Sequence, residues 1–175
     1  LEWYRGFSNL EKISDDVESL LKAVSPEEMT IEKQTMAEVF KSHVDFELTP
    51  QTTRDELCQL AVTQGVAFAK DDSWNDLFFR IFLEKIERKL GQSQPLILSK
   101  YPPSQAALAR IDKNGWADRF EVYWRGLELG NAFHELNDPK ENLARFRQDL
   151  EEKRKPWKFN ELKEEGLIYT NDNVN

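Results

Sequence analysis

The chain has 175 residues, enough for one domain with a sizeable core. Hydrophobic residues at 39%, aromatics at 11% and charged residues at 32% exclude an intrinsically disordered chain. The 24 basic residues against 32 acidic ones give a formal charge of -8, which argues against duplex nucleic acid as the main partner while leaving room for a basic protein partner.

Cys58 is the single cysteine, so no disulfide framework can form within the chain, and a reducing, cytoplasmic compartment is expected. No apolar run approaches the length that spans a bilayer, and no signal-peptide pattern is visible.

Residues 1–8 are rich in aromatics and read as a strand. Ile13, Val17, Leu20, Leu21 and Val24 then recur at helical spacing, with Pro26 as the stop. A short helix is expected from about Glu32 to Ser42, with Met36, Val39 and Phe40 turned inward. Thr53 followed by Glu56 has capping-box spacing and opens a helix whose buried stripe is Leu57, Leu60 and Ala61. Ser73 and Asp76 start the next helix, with Leu77, Phe78, Ile81, Phe82, Ile86 and Leu90 on its apolar face and Gly91 at its end. Residues 95–99 read as a short buried strand, and Phe120 to Arg125 and Leu127 to Leu136 as two more. Asp138, Pro139 and Glu141 signal a further helix start, lined by Leu143, Phe146 and Leu150. Helices interspersed with antiparallel-type strands predict an α+β domain. One domain is expected over residues 1–155, followed by a divergent segment over 156–175.

Alternation along a strand puts Asn131, Phe133 and Glu135 on one face, and Glu2 and Tyr4 on one face of their own segment. If these segments are neighbours, the residues line a pocket with an aromatic wall, an amide, a phenol and two carboxylates. Such a pocket suits a cation on an aliphatic stem, as in lysine. Glu121 and Glu128 lie seven positions apart, and simple alternation turns Glu128 away from Asn131. A turn at Arg125–Gly126 and a bulge near Gly130 would re-aim it, and paired acids can then hold Mg²⁺ beside phosphates. Each group also has an ordinary reading, as sheet-surface pairs or solvated strand charges. His134 falls off the Asn131 face, and His43 and Cys58 fit structural positions. No Ser-His-Asp set, zinc-ligand cluster or Gly-rich phosphate loop competes.

Three stretches carry a resemblance: LEWYR at 1–5, YPPSQAALAR at 101–110 and RFEVYWRGLELGNAFHELND at 119–138. Over about residues 1–150 the chain resembles the catalytic domain of class II lysyl-tRNA synthetases. It is most similar to their shortened paralogues, the elongation factor P–(R)-β-lysine ligases. Pro103-Ser104-Gln105 stands where the tRNA enzymes usually carry Pro-Ala-Glu, and His134 stands where they usually carry Ser. Both favour the ligase, while Asn137-Asp138 is closer to the synthetase, and Ala132 replaces a usual glycine.

The resemblance implies a partial class II synthetase fold, an antiparallel sheet flanked by helices. It assigns Glu2, Tyr4 and Glu135 to the substrate's ammonium group, and Asn131 and Phe133 to orienting and packing the amino acid. It assigns Ser104 and Gln105 to shaping the substrate end, and Glu121 and Glu128 to ATP and Mg²⁺. No protein nucleophile is implied. Lysine or (R)-β-lysine would be activated as an adenylate and passed to elongation factor P, in place of tRNA, by an enzyme that is a homodimer at full length. The family's first motif, the arginine of its second and the Gly-rich strand and arginine of its third are not seen here, and the pattern fades after about Lys155. Residues 1–175 are therefore expected to be part of a larger enzyme and inactive alone. The alternatives are a lysyl-tRNA synthetase segment and a non-catalytic paralogue acting as a binding module.

Overall fold

The computed structural model describes residues 1–25 and 28–153. Helix starts follow the local chemistry of the sequence. Asn9 caps α1 (Leu10–Val24), its side chain accepting from the Lys12 backbone N–H. Reciprocal capping boxes open the helices that follow Thr35, Thr53 and Ser73, with Glu38, Glu56 and Asp76 reaching back to the cap backbone.

The segment expected to be a helix from Glu32 divides in two. Glu32–Thr35 is strand β1, and α2 (Met36–Val44) follows it directly. The polar run Glu-Lys-Gln-Thr has no apolar alternation to betray a strand, and pairing with a buried neighbour decides its state. Met36, Val39 and Phe40 are fully buried. Helix α3 (Arg54–Gln64) buries Leu57, Leu60 and Ala61, and Gly65 ends it in a left-handed conformation. Helix α4 (Trp74–Ile81) runs on through a wide π turn (Phe82–Ile86) and a 3-10 turn (Glu87–Lys89). All six of the apolar positions expected on this face are buried.

Strands β2 (Leu96–Tyr101), β3 (Ala117–Trp124) and β4 (Leu127–Phe133) complete a four-stranded sheet in the order β1-β2-β3-β4. β1 is parallel to β2, and the other two pairings are antiparallel. Both faces of the central strands are covered, which explains the unbroken apolar run Leu96-Ile97-Leu98. Leu96, Leu98, Tyr101 and Tyr123 join the main core with α2, α3 and α4. That core includes stacked rings, with Phe78 at 5.3 Å from Phe40 and 5.2 Å from Trp74. On the opposite face Ile97, Phe120 and Val122 pack against Leu10, Ile13, Val17 and Leu21 of α1. Leu20 and Val24, expected in the same stripe, remain exposed.

Residues 1–8 are not a strand. A strand needs a neighbour's backbone, and none pairs with this segment among the described residues. The turn between β3 and β4 is a two-residue loop with positive φ at both Arg125 (55°) and Gly126 (73°). This is the hairpin geometry that matches strand twist.

Leu1–Glu135 forms one compact unit and Leu136–Asn175 a second. Within the second, α5 (Pro139–Lys153) starts as expected, with Asp138 Oδ1 accepting from the backbone N–H groups of Lys140 and Glu141. Leu143, Phe146 and Leu150 on it are about half exposed. The segment 156–175 lies outside the described residues.

Candidate amino-acid and nucleotide site

The site is built on the β3–β4 hairpin. Glu121 pairs with Asn131, Arg119 with Phe133 and Tyr123 with Glu128. Directly opposed residues share a face, so Arg119, Glu121, Tyr123, Glu128, Asn131 and Phe133 all line one side of the sheet. This requires the register shift between Val122 and Tyr123, where Leu129 is the extra residue on β4. The bulge turns Glu128 onto the Asn131 face, which strict alternation would deny it.

Glu121 is enclosed. Its side chain is 13% exposed and that of Arg119 16%. Tyr101 Oη and Tyr123 Oη each donate to Glu121 Oε2 at 2.6 Å, and Arg119 Nη2 donates to Oε1. Arg119 Nη1 donates to the Gln105 carbonyl at 2.9 Å, and the guanidinium lies over the Tyr101 ring, 4.5 Å from its centre. Gln105 is buried and donates through Nε2 to Asn75 Oδ1 at 2.7 Å. One connected polar network therefore joins the 101–105 segment to the acid of β3. Burial and then the Glu121 charge push the Tyr101 phenol well up, and burial with the Glu121 hydrogen bond does the same to Tyr123. Both phenols are held as donors.

Tyr101 reaches this face against its nominal parity, since strict alternation would place it with Ile97 and Ser99. A positive φ of 59° at Lys100 and a second register shift between Ser99 and Tyr101 turn it over. Lys100 itself bonds to Asp112 at 2.9 Å and lies 3.5 Å from Asp118.

Glu128 stays open to solvent on the outer part of this face. Partial desolvation and then the charge of Glu121 raise its carboxyl above the ordinary value, while a hydrogen bond with the Asn131 side chain pulls it back. Asn131 and Glu135 are exposed and Phe133 is half-buried. Glu135 is held by an isolated bridge to Ala109 and by Arg110 Nε, which donates to its carbonyl at 2.7 Å. His134 turns from the Asn131 face, its ring meeting Asp118 at 3.1 Å. Ser104 is exposed on the 3-10 turn Pro103–Gln105.

Glu2 and Tyr4 are adjacent despite the missing ladder, with Tyr4 Oη donating to Glu2 Oε1 at 2.5 Å. That bond and the Glu2 charge raise the Tyr4 phenol, and the Glu135 charge adds to the effect. The structure gathers Gln105, Glu121, Glu128, Asn131 and Phe133 around the hairpin face, with Glu2 and Tyr4 on an exposed arm. Sequence reasoning missed Tyr101, Arg119 and Tyr123. Arg119 and Tyr123 stand two residues either side of Glu121, a same-face spacing that could have revealed them, whereas Tyr101 depends on a bulge.

The mixed sheet flanked by helices matches a partial class II synthetase-type fold. The family model of class II tRNA synthetases (D, K and N) matches residues 1–168, and the chain belongs to that family. Among curated proteins it is 37% identical over 151 residues to the elongation factor P–(R)-β-lysine ligase of Haemophilus ducreyi, covering 85% of this chain and 46% of that protein. It is 39% identical over 158 residues to the ligase of the same name from Vibrio cholerae, covering 85% and 47%. To the elongation factor P–(R)-β-lysine ligase homolog of Aquifex aeolicus it is 34% identical over 157 residues, covering 89% and 52%. The chain thus spans about half the length of the curated relatives it matches. No helix among the described residues is long and apolar enough to cross a membrane.

Proposed function

We propose that the chain belongs to a cytoplasmic ligase that activates lysine or (R)-β-lysine with ATP and transfers it to a lysine side chain of elongation factor P. The observation that carries this reading is the hairpin face itself. It sets Glu121 and Glu128 beside Asn131 and Phe133, in a chain similar to ligases of that name.

In this reading the substrate carboxylate attacks the α-phosphate of ATP and pyrophosphate leaves. Glu2, Tyr4 and Glu135 hold the substrate ammonium, since two carboxylates and a phenol oxygen accept from its three N–H groups. Phe133 packs along the aliphatic stem, and Asn131 orients the amino acid. The buried Gln105, tied to Arg119, fixes the wall at the substrate end, and Ser104 lies beside it. Catalysis of this kind is positioning and charge neutralisation.

Mg²⁺ beside phosphates is commonly held by one or two carboxylates with phosphate oxygens and water completing its shell. Among the described residues no group of three or more His, Cys, Asp or Glu could hold a metal alone. Glu128, open to solvent, would hold the ion, which when bound would offset the negative charge of the phosphates. Glu121, whose oxygens already accept from Tyr101, Tyr123 and Arg119, would support the site from behind rather than bind the ion directly. A lysyl-tRNA synthetase is the second reading, favoured by the family model and by Asn137-Asp138.

The test is the intact mass of elongation factor P after incubation with the full-length protein, ATP, Mg²⁺ and either α-lysine or (R)-β-lysine. A gain of one lysyl mass is expected, and the two substrates are ranked by its extent. No gain, while the same protein charges tRNA with lysine, would replace the ligase by the synthetase.

A further inference from the structure

The arm that carries Glu2 and Tyr4 has exposed residues from Leu1 to Phe7 and no ladder of its own among the described residues. Its side chains nevertheless divide by parity. Glu2 and Tyr4 bond to each other, while Trp3 and Arg5 both turn to one carboxylate on α1. Asp16 accepts from Arg5 Nε at 2.5 Å and Nη2 at 2.7 Å, and from Trp3 Nε1 at 3.3 Å.

A carboxylate that binds both prongs of a guanidinium fixes direction as well as distance. Helix α1 is in turn seated on the sheet through Leu10, Ile13, Val17 and Leu21, against Ile97, Phe120 and Val122. We infer that Asp16 is a positioning residue for the amino-acid site, clamping Trp3 and Arg5 so that Glu2 and Tyr4 are presented together. This rests on the ligase reading for the substrate, but the clamp is a property of the fold. A simple surface ion pair at this place would contribute little to stability and nothing to substrate selectivity.

The test uses the full-length protein with Asp16→Asn and Asp16→Glu. The first readout is the ¹⁵N–¹H indole signal of Trp3, assigned with Trp3→Phe. It is expected to move in D16N and to return towards its original position in D16E. An unmoved Trp3 signal in D16N overturns the clamp. The second readout is lysine-dependent ATP–pyrophosphate exchange. D16N is expected to raise KM for the amino acid about tenfold, leaving KM for ATP and Tm unchanged, with partial recovery in D16E. An unchanged amino-acid KM, or a loss of kcat alone, overturns the positioning role. If the unaltered protein shows no exchange with either α-lysine or (R)-β-lysine, the ligase reading fails, and the clamp is decided by the indole signal alone.

Discussion

Replacing Arg119 with Met tests the buried network most directly, because the change keeps the length of the side chain and removes its charge. Arg119 touches three groups, and each contributes on a known scale. Loss of a hydrogen bond to the enclosed Glu121 carboxylate costs about 1.5–3 kcal/mol, and the Gln105 carbonyl left without its donor costs about 1–3 kcal/mol. The contact with the Tyr101 ring adds about 0.5–2 kcal/mol. Glu121 keeps its two tyrosine donors, so the lower half of this range applies, and a loss of about 3–5 kcal/mol is expected, the scale of a broken buried ion pair. With a urea slope of about 2 kcal/mol/M, the midpoint of unfolding should fall by roughly 2 M. Adding Glu121→Gln to Arg119→Met removes the stranded charge. The double variant should recover at least about 1 kcal/mol relative to the sum of the single changes. A loss below about 1 kcal/mol for R119M, or strict additivity in the pair, would refute the view that Arg119 neutralises an enclosed carboxylate.

Two other outcomes follow from the same elements. Tyr101 and Tyr123 hold their protons more tightly in the fold than in the unfolded chain, so stability is fully present below the ordinary phenol value of 10.0 and is lost as pH rises above it. Urea midpoints taken from neutral pH up to about 11 should decline more gently in Tyr123→Phe, and identical slopes would contradict the assignment. Gly91 and Gly65 both have positive φ, but a Cβ on Gly91 would lie 2.4 Å from the Tyr123 carbonyl oxygen, while Gly65 has open space around it. Gly65→Ala should cost about 1–2 kcal/mol for conformation alone, and Gly91→Ala clearly more, as read by thermal unfolding; equal losses would show that the helix end can retreat from β3.

What the sequence made legible were features decided locally. Thr53–Glu56 forms the box its spacing promised, Ser73 and Asp76 cap the next helix start as expected, and the six apolar positions from Leu77 to Leu90 are all buried. Asn131 and Phe133 do share a face, and the turn and bulge needed to bring Glu128 to it are both present. What escaped depends on partners distant along the chain. Glu32–Thr35 is a strand because Leu96–Ser99 pairs with it. Residues 1–8 have the composition of a strand without a pairing neighbour among the described residues. The tyrosine of β2 meets Glu121 across twenty positions, through a left-handed Lys100 that nothing in the local sequence announces.

The bulge at Leu129 has a consequence for how such a site is lost or kept over time. Three positions, an odd number, separate Glu128 from Asn131, which look the same way, and one unpaired residue makes the sum come out even. Deleting Leu129 would leave a regular ladder with the same partners and the same face, whereas keeping Leu129 but pairing it in register would send Asn131 and Phe133 to the other side of the sheet from Glu121 and Glu128. In this hairpin, the letters alone do not secure the site; the register in which they pair does.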